Sequence, residues 1–117
     1  MSYIEGFVAA VPRANKDAYR NFAAGSVTLF KDFGVTRQVE TWGDDVPDGK
    51  VTDFRRAVAA KADEAIVFSW IEYPDKATRD AVQKKMMEDP EMGAMQMPFD
   101  MGRMIYGGFE SLFVAQA

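Results

Sequence analysis

Hydrophobic and polar positions alternate along this chain in short blocks, and the period of each block predicts its element. Residues 3–11 form an apolar run closed by Pro12, which predicts a strand. Beyond it Tyr19, Phe22, Ala23, Val27, Phe30 and Phe33 recur at helical spacing, so a helix is expected from an N-cap at Asn15 to about residue 33, with Gly34 at its C-terminal turn. Residues 35–42 switch to a period of two. Val35, Arg37, Val39 and Thr41 share one face, and Thr36, Gln38, Glu40 and Trp42 the other, the pattern of a strand with one face partly wet.

A turn rich in Asp, Pro and Gly follows over residues 43–50. Residues 53–60 read as one or two helical turns capped by Thr52 or Asp53, with a short strand as the alternative. Residues 65–73 are the strongest strand signal in the chain. Pro74 and Asp75 open a second helix over about 76–88, which Pro90 ends. A methionine-rich irregular segment leads to a last strand over 103–114, with a bulge expected at Gly107-Gly108.

The order βαββαβ predicts an α+β, ferredoxin-like antiparallel sheet with both helices on one face, in a single domain spanning 1–117. Two strands are nevertheless apolar on both sides. Ile66, Phe68 and Trp70 oppose Val67, Ile71 and Tyr73, and Phe7, Ala9 and Val11 oppose Ile4, Val8 and Ala10. Such strands need cover on both faces. A second copy pressing its sheet against this one supplies it, so a homodimer is expected.

Composition narrows the function classes. The 117 residues contain no cysteine and no histidine, which removes thiolate chemistry, disulfides, and the commonest general base and metal ligand. The net charge of −4 argues against nucleic-acid binding and against anionic membrane surfaces. No apolar run reaches the roughly 18 residues of a membrane span, and the N-terminus lacks a signal-peptide layout, so a cytoplasmic protein is expected.

Several blocks together resemble the YbaA-like family of uncharacterised bacterial proteins, a domain of unknown function. They are residues 1–12, the block from Trp42 through Asp53, Arg55 and Arg56 to Val58, residues 67–74, Met97 to Asp100, and Arg103 to Phe109. The likeness covers about residues 3–110. It departs from the family pattern at Met95-Gln96, where acidic residues are expected, and at Gly102, where a basic one is. The resemblance implies a dimeric α+β barrel. Its wider superfamily includes cofactor-free monooxygenases, haem-degrading enzymes, isomerases and stress-response proteins, and a fold does not choose among them.

Three groups of residues are candidates for chemistry. Asp44, Asp45, Asp48 and Asp53, with Arg55 and Arg56 just beyond, crowd ionisable groups onto one connection. They would bind a ligand beside Trp42 and Trp70, hold a hard cation, or form a solvated turn with a structural ion-pair network joining the arginines to Asp44 or Asp45. Glu72 has the parity of Phe68 and Trp70, so it is a candidate proton-transfer group if Tyr106 and Arg103 approach it; the alternative is a strand end open to water. Met92, Met95, Met97 and Met101 offer soft sulfur ligands or, more simply, adaptable packing. No cofactor is expected. Two readings follow: a cofactor-free small-molecule enzyme or binding protein with a pocket between sheet and helices, gated by 43–53 or 90–102 and taking a partly aromatic acid, or a non-enzymatic interaction or stress-associated module. RNA binding ranks third.

Overall fold

In the computed structural model, β1 (Tyr3–Pro12) is the strand on which the sheet is built. The structure describes residues 2–90 and 96–116, the side chains of 27–31 excepted. A 3-10 turn over Arg13–Asn15 runs into α1 (Lys16–Phe30), and β2 (Arg37–Trp42) follows. After the long connection come α2 (Phe54–Ala57), β3 (Glu64–Tyr73), α3 (Lys76–Glu88) and β4 (Ile105–Glu110). The sheet order is β2-β3-β1-β4, with every neighbouring pair antiparallel. This is the ferredoxin-like arrangement that the element order predicts.

Register sorts the side chains into two faces. Tyr3, Phe7, Ala9 and Val11 of β1 align with Tyr73, Ser69, Val67 and Ala65 of β3 and face the helices. Ala9, Val11 and Val67 pack there on Tyr19 and Ala23 of α1, while Tyr3 and Tyr73 pack on Val82 of α3. Burying a valine as completely as Val82 contributes about 1.5–3 kcal/mol. Asp75 caps α3, accepting from the Thr78 backbone N–H at 2.8 Å, and Asp53 caps α2, accepting from the Arg56 N–H at 2.7 Å.

The opposite face meets neither α1 nor α3 and carries only the single-turn α2, whose Phe54 ring lies 5.8 Å from Phe68. The connection after β2 covers one end of it, where Val46, Val58 and Ala60 pack on Val8, Ala10 and Ile66. The rest is open: Phe68 is 48% exposed and Phe109 60%, with Ile105 beside them.

Four sequence expectations change. The last strand begins at Ile105, because Asp100 and the following residues form a 3-10 turn over Met101–Arg103. No bulge interrupts it: Gly107 and Gly108 pair in continuous register with Gly6 and Glu5. Gly108 is small for another reason, since a Cβ there would collide with the Tyr3 ring and hydroxyl. Asn15 ends the 3-10 turn and spends its amide on the Pro98 carbonyl at 2.8 Å. Phe33 is exposed, lying 3.9 Å beneath the Lys85 ammonium. Val27 and Phe30, named for the buried helix face, have side chains outside the described residues.

Candidate functional site

The helix-facing side of the sheet, α1, α3 and residues 97–104 line a partly open cavity of about 280 Å³. Its walls are mostly apolar and aromatic, among them Phe7, Phe22, Phe99 and Met104. Two carboxylates interrupt them. Glu40, on β2, accepts hydrogen bonds from the Tyr19 hydroxyl and the Ser69 hydroxyl, each at 2.6 Å on Oε2, and from the Gln38 amide at 3.0 Å on Oε1. Three different elements therefore converge on one side chain. Glu5, on β1, accepts from the Arg79 guanidinium at 2.9 Å and from the Gln83 amide at 3.1 Å, both groups on α3.

The two carboxylates differ in their counter-charge. Arg79 forms an ion pair with Glu5, donates to the Tyr3 hydroxyl at 2.9 Å and stacks 4.8 Å over the Tyr3 ring. Glu40 has no ion pair among the described residues. Burial and the Glu40 carboxylate push the Tyr19 hydroxyl far above its ordinary range. Burial, and behind it Glu5, pushes Tyr73 up to about 12. Gln38 directs its amide N–H groups at Glu40 and, at 3.4 Å, at the Ser26 hydroxyl. Its buried carbonyl oxygen faces no donor among the described residues. On its outer side Glu40 also borders a groove of about 370 Å³ lined by Lys16, Arg20 and Trp42.

The residues singled out from the sequence lie elsewhere or do other work. Glu72 is on the face turned away from α1 and α3, where it accepts from the Trp70 indole at 2.9 Å and sits 3.8 Å from Arg37. Tyr106 pairs with Phe7 and so belongs to the opposite face, on the rim of the cavity. Arg103 reaches neither. It forks onto Glu64 with two bonds of 2.7 Å and also bonds Asp100 at 3.1 Å and the Ala59 carbonyl at 2.9 Å. The sheet separates Glu72 from Tyr106, so the expected trio does not assemble.

The acidic connection, which leads into α2, lies on the face turned away from α1 and α3. Asp53 caps α2 and also accepts from the Gly49 N–H at 3.1 Å, and these backbone bonds, the Arg56 one first, hold its carboxyl below the usual range. Arg56 returns to Asp53 at 3.4 Å, and Arg55 donates to the carbonyls of Glu64 and Lys61. Neither arginine pairs with Asp44 or Asp45. Asp44, Asp45 and Asp48 are exposed, and among the described residues no three acidic groups come together as a metal site. Trp42 borders the cavity cluster beneath Lys16, 5.5 Å from its ring, whereas Trp70 faces away. Of the two predicted gates, 43–53 covers the wrong face. The second contributes Met97, Phe99 and Met101 to the cavity; Met92 and Met95 lie outside the described residues.

Sequence reasoning missed Glu5, Glu40, Gln38, Tyr19 and Arg79 as a group. The signal was present in strand parity. Glu5 stands among Tyr3, Phe7, Ala9 and Val11, a carboxylate on a face otherwise apolar, and Glu40 shares parity with Trp42. The acid ligand expected from sequence also fits poorly, because the cavity holds two carboxylates and one arginine that is already paired.

Residues 2–101 of the chain match the family described as a protein of unknown function (DUF1428). It is 61% identical over 114 residues to the uncharacterized protein YbaA of Escherichia coli strain K12 and to that of Shigella flexneri, covering 96% of this chain and 97% of each relative. A solved structure described as a dimeric ferredoxin-like protein, from an uncultured marine organism, superposes with a TM-score of 0.55 at 14% identity, covering 99% of this chain and 98% of the other. At that identity the likeness concerns the fold. The family match and the nearly end-to-end identity to these relatives together show that the chain belongs to the DUF1428 family of proteins of unknown function.

Proposed function

We propose that this chain is a homodimeric small-molecule-binding protein whose ligand occupies the cavity between sheet and helices, with Glu40 as the group that holds or moves a proton. One observation carries the reading: Glu40 stands in an apolar cavity wall, held by three neutral donors and by no cation among the described residues. A side chain fixed from three elements is preorganised for a task at that point. Proton transfer is chemistry a carboxylate supplies without a cofactor. The homodimer is supported by the open apolar face around Phe68, Ile105 and Phe109 and by the dimeric description of the structural neighbour.

The test uses methionine methyl groups labelled with carbon-13 and the neutral probe 2-phenylethanol. Resonances of Met86, Met97 and Met104, which line the cavity, are expected to shift while exposed Met87 stays still. A titration that leaves all three unmoved overturns the cavity reading. Sedimentation is expected to give twice the chain mass, falling to one chain mass in Phe68→Glu; a monomeric wild type overturns the dimer. The interaction-module reading draws on Leu112, Phe113 and Val114, which stand exposed beyond β4. It gains if the cavity stays empty in the titration.

A further inference from the structure

The cavity's unmet hydrogen-bonding and charge requirements define what fits it. As a carboxylate, Glu40 accepts all three of its hydrogen bonds among the described residues. A carboxylate oxygen accommodates about two donors, so Oε1, with the Gln38 amide alone, has room for another. The Gln38 amide is oriented by Glu40, which leaves its carbonyl oxygen as a buried acceptor facing no donor among the described residues. Such an atom forfeits a hydrogen bond unless something from outside supplies one. The neighbouring donors are committed: Tyr19 and Ser69 to Glu40, and Ser26 to the Ala23 carbonyl at 2.7 Å.

Charge points the same way. Arg79 is committed to Glu5, with Asp80 beside it. On the outer side of Glu40, Arg20 sits 3.6 Å from Asp17 and Lys16 lies over the Trp42 ring, so neither forms an ion pair with Glu40. The wall around this carboxylate is aromatic: the Tyr19, Phe22 and Phe99 rings lie 5.8–6.4 Å apart, centroid to centroid. Aromatic faces attract cations, and the chain's net charge of −4 favours their approach.

We propose that the cavity binds a cationic amine with a small aromatic or apolar body, its ammonium donating to Glu40 Oε1 and the Gln38 carbonyl while its ring packs among Tyr19, Phe22 and Phe99. An ammonium has three N–H donors and one positive charge, the complement of two free acceptors and an uncompensated carboxylate. This rests on the cavity being the ligand site, and the experiment separates the two claims.

Three probes of matched size are titrated into the full chain by calorimetry, with the cavity methionine methyl resonances followed in parallel: 2-phenylethylamine, 2-phenylethanol and 3-phenylpropionate. The amine is expected to bind about tenfold tighter than the alcohol and to shift Met97 and Met104, and the carboxylate to bind weakest. In Glu40→Gln the amine's advantage is expected to fall below about threefold. Gln38→Met keeps the charge and is expected to lose part of the advantage. Equal binding of amine and alcohol with cavity methyls shifting leaves the cavity as the ligand site and overturns the amine. Amine binding that moves no cavity methyl, or that survives Glu40→Gln unchanged, overturns the assignment to this carboxylate. No methyl shift with any probe overturns both claims.

Discussion

Replacing Arg79 by methionine strands the charge of Glu5. The guanidinium is 2.9 Å from Glu5 and 2.9 Å from the Tyr3 hydroxyl, and the two charged side chains are only 14% and 11% exposed. Its Nε lies 2.9 Å from Asp80 but makes no aligned hydrogen bond there, so the Glu5 contact carries the pairing. Removing one member of a buried pair costs about 3–5 kcal/mol, because the other charge is left desolvated. Gln83 still donates to Glu5, and both groups keep some access to water, which sets the expectation at about 3 kcal/mol. For a chain of this size that is a fall of roughly 12 °C in melting temperature. Urea titrations of wild type, Arg79→Met, Glu5→Met and the double variant measure it. The double variant is expected to regain most of the loss, since an apolar pair of similar volume replaces a buried ion pair at little net cost. The coupling is expected to persist at high salt, as screening hardly reaches a buried pair. A loss under about 1 kcal/mol in Arg79→Met, or additive losses in the double variant, would refute the pairing as described.

Three further outcomes follow from contacts outside that pair. Arg103, and behind it the Lys61 N–H, holds Glu64 down to about 2 from an ordinary 4.5, so its contribution to stability is complete above pH 4.5 and lost as pH falls toward 2; Glu64→Gln is expected to flatten that part of a urea-midpoint profile. Tyr73, raised to about 12, keeps its proton in the folded state through the range where an unfolded tyrosine ionises, so stability is expected to decline as pH rises from 10 to 12, and less steeply in Tyr73→Phe. Gly108→Ala places a methyl group against the Tyr3 ring and is expected to cost about 1–3 kcal/mol in chemical denaturation, whereas a loose turn would tolerate it.

The fold was legible because its signals are local and repeated. The apolar runs of β1 and β3, the period-two alternation of β2, the 3.6-residue run of α1, and Pro74-Asp75 each carry their element without help from the rest of the chain. The cavity was harder to see. Its key acceptor draws donors from residues 19, 38 and 69, and only the β2-β3 register and the seating of α1 bring these together. Charge density along the chain pointed instead to residues 44–56. There the carboxylate most engaged, Asp53, caps a helix, and the arginines hold backbone carbonyls. Arg103 misled for a related reason: its partner Glu64 is 39 positions away, and nothing in the local pattern connects them.

The position of β1 inside the sheet also has a consequence for how the chain is made. β1 is the first strand of this sheet to leave the ribosome, yet one of its edges stays open until β4 emerges about a hundred residues later. At about 5–20 residues per second that interval lasts roughly 5–20 s. Throughout it a nascent chain carries an unpaired, largely apolar strand edge of the kind that pairs with other chains. A ribosome stalled before residue 105 holds a chain in which the Tyr3–Val8 edge still lacks its partner strand.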